Sequence, residues 1–229
     1  MIRAILTDFV KFLRNPRPIQ ATGLNAEGAI SRWLVLSVLQ IVVLGLVVMP
    51  LIMTWQKTFS LPSPNAFDGL SPLALWGGAV LLAPVLEELF FRGWMSGRPV
   101  ALWLTLIVIM GLALFAAFGR SVPWAAGVVV LATVIAAGVA WFRTRRRTQV
   151  PEAFTRAFPV LFYLVTALFA LMHVFNYPQI SAVVLPMVLP QFWSGLMLGY
   201  IRVRLGLLAA ILAHVASNAV MLTAALVTG

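Results

Sequence analysis

Six residues combine types and spacings that could do chemistry. Glu87 and Glu88 are adjacent, and Arg92 follows Glu88 by four positions. His173 and His214 are the only two histidines of the chain, and Asn218 follows His214 by four. All six lie in or at the edge of apolar stretches. A charged side chain at bilayer depth costs at least about 2.5–3.5 kcal/mol on insertion scales, so such groups should face the protein interior or a wet cavity. They either join helices through a polar network or act on a substrate.

Helix geometry divides the work among them. Residues four apart share a face, so Glu88 and Arg92 can form an ion pair. Glu87 is five from Arg92 and is left without that cation. His214 and Asn218 share a face, and Phe169 lies one turn below His173. One glutamate, two histidines and an asparagine supply a base, a partner to orient it, and donors for an oxyanion. The set suits attack of water on an amide carbonyl.

The elements that must position these residues follow from composition. The chain has 229 residues, 62% apolar and only 10% charged, with a mean hydropathy of +1.01. Soluble domains usually carry about 25% charged residues, so the bilayer is part of this protein's solvent. There is no cysteine, which excludes a thiol nucleophile, a disulfide framework and a thiolate metal site. The formal charge of +10 sits between apolar segments with no soluble domain to present it. It therefore reads as a topology signal with attraction to anionic lipid, and no nucleic-acid partner is expected.

The fold class expected is all-α, a polytopic transmembrane helix bundle of about seven spans with a cytoplasmic N-terminus. Apolar runs near the 20 residues that a crossing needs cover 33–54, 72–94, 99–118, 122–142, 157–177, 180–201 and 205–227. Residues 1–32 form an amphipathic cytoplasmic segment in which Ile2, Ile5, Leu6, Phe9, Phe12 and Leu13 recur at helical spacing, as in a helix lying on a membrane surface. Residues 33–229 form one transmembrane domain, with an inserted hairpin (99–142) and basic loop within about 99–156. The charges agree with this count. Arg3, Lys11, Arg14, Arg17 and Arg32, then Arg92 and Arg98, then Arg143, Arg145, Arg146, Arg147 and Arg156, then Arg202 and Arg204 all fall on the cytoplasmic side. Only Lys57 and Arg120 of the sixteen basic residues fall on the other, as the positive-inside rule requires.

Other membrane functions leave different marks. No Asp lies in an expected span, which excludes a paired-aspartate protease, and no GxSG surrounds Ser194. No inverted repeat supports a transporter. A non-enzymatic membrane scaffold or immunity protein remains the alternative. No HExxH is present, so the common zinc-protease helix is missing. A metal-free mechanism with no cofactor is the expectation, and zinc held by Glu87, His173 and His214 is the alternative.

Three motifs in order resemble those of the CAAX protease and bacteriocin-processing (CPBP, or Abi) family of intramembrane proteases. EExxxR appears as Glu87 to Arg92, FxxxH as Phe169 to His173, and HxxxN as His214 to Asn218. The flanks APVLEELFFRGW and GLMLGYIRVRLGLLAAILAHVASN are similar too. The resemblance covers roughly 81–98 and 157–222. It implies an intramembrane endopeptidase related to the CAAX prenyl endopeptidase. Glu87 and His173 would activate water, His214 and Asn218 would stabilise the oxyanion, and Glu88 and Arg92 would organise the site. The implied partners are a membrane-embedded or membrane-tethered peptide substrate and the lipid bilayer, in a bacterial inner membrane. The departure is the long interval between Arg92 and Phe169, which holds the extra hairpin.

Overall fold

The computed structural model describes residues 1–66, 68–119 and 122–228, and among them there are helices and no strands. That suits a bilayer, because a helix satisfies every backbone polar group within its own segment. The chain begins with α1 (Ile2–Arg14) and α2 (Ala29–Val43). A π-helical turn, Leu44–Val48, carries α2 into α3 (Met49–Thr58). After a loop, α4 (Pro72–Ala74) leads through a second π-helical segment, Leu75–Leu82, into α5 (Ala83–Arg92) and a 3-10 turn, Gly93–Ser96. The hairpin α6 (Pro99–Phe118) and α7 (Pro123–Thr144) follows, and then α8 (Glu152–Met172). Two 3-10 turns, His173–Asn176 and Leu185–Val188, precede α9 (Leu189–Leu205) and α10 (Leu207–Thr228).

Among the described residues, six helices are long and apolar enough to cross a membrane: Ala29–Thr58, Pro72–Ser96, Pro99–Phe118, Trp124–Thr144, Glu152–Asn176 and Leu207–Val227. They match six of the expected segments to within a few residues. The remaining one, 180–201, differs. Pro186 and Pro190 lack the amide hydrogens that a helix interior needs, so the helix starts late and α9 has 17 residues. At helical rise its 17 residues span about 26 Å, somewhat less than the hydrocarbon thickness of about 30 Å. Arg120, one of the two basic residues expected on the far side, lies outside the described residues.

The chain forms two compact units, Met1–Arg92 with Phe158–Gly229, and Gly93–Ala157. The first is built around α9, in which Met197, Leu198, Tyr200 and Ile201 are fully buried. Close approach explains its two glycines. A Cβ on Gly195 would sit 2.9 Å from Thr166 Cγ2, and one on Gly199 2.7 Å from Phe162 Cε2. Small residues let helix backbones approach where lipid provides no hydrophobic drive to associate. Gly199→Ala must therefore displace a fully buried ring, at about 1–3 kcal/mol for overpacking. Thermal unfolding in detergent should show a lowered midpoint for Gly199→Ala and an unchanged one for Gly138→Ala, whose Cβ would meet open space. Equal midpoints would remove close packing as the reason for Gly199.

Helix α1 forms where the apolar spacing predicts. Its stripe, however, faces protein as well as its surroundings: Ile5, Phe9 and Phe12 are buried while Ile2 and Leu6 are exposed. Phe9 packs on Tyr200 at 5.1 Å and Phe12 on Phe162 at 5.1 Å between ring centroids. Asp8, the acid of this helix, accepts hydrogen bonds from Tyr200 (2.7 Å), Arg32 (3.3 Å) and Arg204. In the second unit, α6 and α7 pack along one another, and Trp94 meets Phe154 edge-on at 5.8 Å.

Candidate active site

The site is assembled from α5, α8 and α10. The four-residue spacing on α5 places Glu88 and Arg92 on one face, and they form an ion pair with side chains 0% and 2% exposed. A buried guanidinium requires such a partner, since an unpaired charge in a low-dielectric interior is costly. Helix α10 presents His214 to the same carboxylate, with Nδ1 2.9 Å from Glu88 Oε1. A carboxylate only accepts, so Nδ1 carries a proton and Nε2 faces the other way. There it lies 3.8 Å from Glu87 Oε2, an ion-pair distance beyond hydrogen-bond reach. Glu87 is 29% exposed. Of the two adjacent acids, one is committed to Arg92 and His214 and the other keeps its carboxylate accessible.

Helix α8 delivers Phe169 and His173. His173 opens the 3-10 turn that ends the helix, and its Nδ1 lies 2.8 Å from the Phe169 carbonyl. The carbonyl accepts, so Nδ1 is protonated and the Nε2 lone pair is free. The Phe169 ring is fully buried at the centre of the group. The Arg92 guanidinium lies over it at 4.4 Å, a cation–π contact. The rings of His173 (5.0 Å) and His214 (6.1 Å) meet it edge-on. Asn218, one turn above His214, donates from Nδ2 to the Ala79 carbonyl at 3.0 Å. Ala79 belongs to the π-helical segment before α5, and such widened turns often occur at functional sites.

Glu87, Glu88, Arg92 and His214 are thus in direct contact. Asn218 is held to the helix that carries the glutamates, and His173 joins through Phe169. Among the described residues, His173 pairs with neither glutamate, and the ring within ion-pair range of Glu87 is that of His214. Three partners lie outside the motifs' polar residues: the Phe169 ring, the Ala79 carbonyl, and Arg202, whose Nε donates to the Arg92 carbonyl at 3.1 Å. Only Phe169 had a signal in the sequence, its four-residue spacing from His173. Among the described residues no three His, Asp or Glu side chains converge as a metal-ligand group. Glu87, His173 and His214 in this arrangement do not form one.

No curated protein and no solved structure matches the chain. A family model described as Type II CAAX prenyl endopeptidase Rce1-like does, over residues 69–154 and 146–220, together well over half of the chain. The matched stretches contain Glu87, Glu88, Arg92, His173, His214 and Asn218. With its apolar helices, this multi-pass membrane protein of the CAAX-protease type belongs to the Rce1-like family of type II CAAX prenyl endopeptidases.

Proposed function

We propose that the protein is an intramembrane endopeptidase that cleaves a membrane-associated peptide with water activated by Glu87. The observation that supports this most is the asymmetry of the glutamate pair. Glu88 is sequestered by Arg92 and His214, and Glu87 stands free beside His214 Nε2. Glu87 removes one proton from water, and His173 Nε2 accepts a hydrogen bond from the O–H that remains and so orients the attack. The hydroxide adds to the scissile carbonyl, and the oxyanion takes hydrogen bonds from His214 Nε2–H and from the second amide hydrogen of Asn218. Glu87 then passes its proton to the leaving amine. For His214 to donate at both nitrogens it must be an imidazolium. Two ionised glutamates are then balanced by Arg92 and His214, which leaves the cluster neutral overall.

The test is cleavage of a membrane-embedded peptide library by detergent-purified protein, with and without a chelator. Cleavage should persist with chelator. Asn218→Ala should lower kcat by about 10²–10³, the usual cost of one oxyanion donor. Loss with chelator would point to a bound metal. Cleavage indifferent to Asn218 would remove the oxyanion role, and absence of cleavage would favour the scaffold reading.

A further inference from the structure

The α6–α7 hairpin carries a groove of about 440 Å³ that the proteolytic reading does not use. Trp103 and Ile107 form its α6 wall. Ala136, Ala140 and Arg143 line it from α7, with Arg147 just beyond the end of that helix. Ala136, Ala140 and Arg143 recur at helical spacing, so one stripe of α7 passes from apolar to cationic at its C-terminal end. The groove has a built inner limit. Gly111 and Thr133 bring the two helices so close that a Cβ on Gly111 would sit 2.4 Å from Thr133 Oγ1. Between that contact and the arginines, the alanines leave room that Trp103 and Ile107 do not fill.

The hairpin supplies no counter-charge to these two arginines. Within 93–157 Glu152 is the one acid, and it pairs with Arg156 at 2.6 Å. Among the described residues neither Arg143 nor Arg147 has an ion pair, and both are exposed. Arg145 is engaged otherwise, with its guanidinium 4.6 Å from the Trp141 ring and 5.2 Å from Phe142. A helix end is where an apolar span meets the headgroup layer, and basic pockets between membrane helices hold acidic headgroups. A soluble anion would satisfy the arginines and leave the cleft empty. A zwitterionic lipid would fill the cleft but bring its own cation to the arginines.

We propose that this groove is a binding site for one anionic phospholipid, with its phosphate between Arg143 and Arg147 and an acyl chain over Ala136 and Ala140. The test uses the full chain in detergent, with native mass spectrometry to count retained phosphatidylglycerol or phosphatidylcholine. One phosphatidylglycerol should be retained in preference to phosphatidylcholine. Arg143→Gln with Arg147→Gln should weaken it about 30-fold, from the usual contribution of two basic contacts. Arg145→Gln with Arg146→Gln, the same change in net charge, should leave retention nearly unchanged. Ala140→Phe, which fills the groove and keeps both arginines, should also weaken retention. Equal retention of the two lipids, equal loss in the two double variants, or full retention in Ala140→Phe would each overturn the proposal. Matched thermal unfolding of every variant keeps a folding defect from being read as lost lipid.

Discussion

Glu87→Gln is expected to reduce peptide cleavage by about 10²–10⁴-fold, the range assigned to a positioned general base. The substitution is nearly isosteric and removes the carboxylate's charge together with its capacity to take a proton. Its effect on folding should be small, because Glu87 is partly exposed and its one ion-pair contact, His214 Nε2 at 3.8 Å, is too long for a hydrogen bond. The loss should therefore appear in kcat with KM little changed, the mark of an interaction made in the transition state. The unfolding midpoint should stay within the range of a surface substitution, about ±0.5 kcal/mol. Equal cleavage by variant and wild type would mean that another group is the base, or that the activity belongs to a contaminant. A large drop in the unfolding midpoint would mean that Glu87 is structural and the division between the glutamates is mistaken.

Arg92→Leu should be the most destabilising single change in the site. Glu88 is 0% exposed, and without the guanidinium its carboxylate is a buried charge facing only His214. Breaking such a pair costs about 3–5 kcal/mol, whereas replacing both partners by apolar groups of similar size can be nearly neutral. The double variant Arg92→Leu with Glu88→Leu should thus recover most of the stability lost by Arg92→Leu. The double variant should not recover activity, since His214 loses the acceptor for its Nδ1 proton. The contact of Arg92 with the Phe169 ring is lost in both, so the difference between them isolates the carboxylate. If the double variant unfolds as readily as Arg92→Leu, the packing of the guanidinium matters more than its charge.

Local spacing made part of this legible. Glu88 with Arg92, and His214 with Asn218, are four apart on single helices, so one turn of α-helix places each pair before any tertiary structure exists. The apolar runs gave the spans because a crossing has a required length. The meeting of His214 with Glu88 across 126 positions was different. It depends on how α10 packs against α5, and no periodicity within either helix encodes that. The family resemblance pairs Glu87 with His173, and the geometry brings His214 nearer. The start of α9 was placed too early because hydropathy does not register the missing amide hydrogens of Pro186 and Pro190. The apolar stripe of α1 read as lipid-facing because a helix wheel cannot tell a membrane from the rings of Phe162 and Tyr200.

The π-helical segment Leu75–Leu82 has a consequence for comparing this chain with its relatives. An i→i+5 turn uses more residues per revolution than an α-helix, so the helix changes phase between Ala74 and Ala83. A helical wheel drawn upstream from Glu87 at 3.6 residues per turn will assign the wrong residues to the side that meets Asn218. A relative lacking one residue in this stretch could keep every glutamate and histidine aligned and yet present a different carbonyl to its asparagine. Gaps placed between Pro72 and Ala83 are therefore statements about the shape of the site, even though no motif residue lies there.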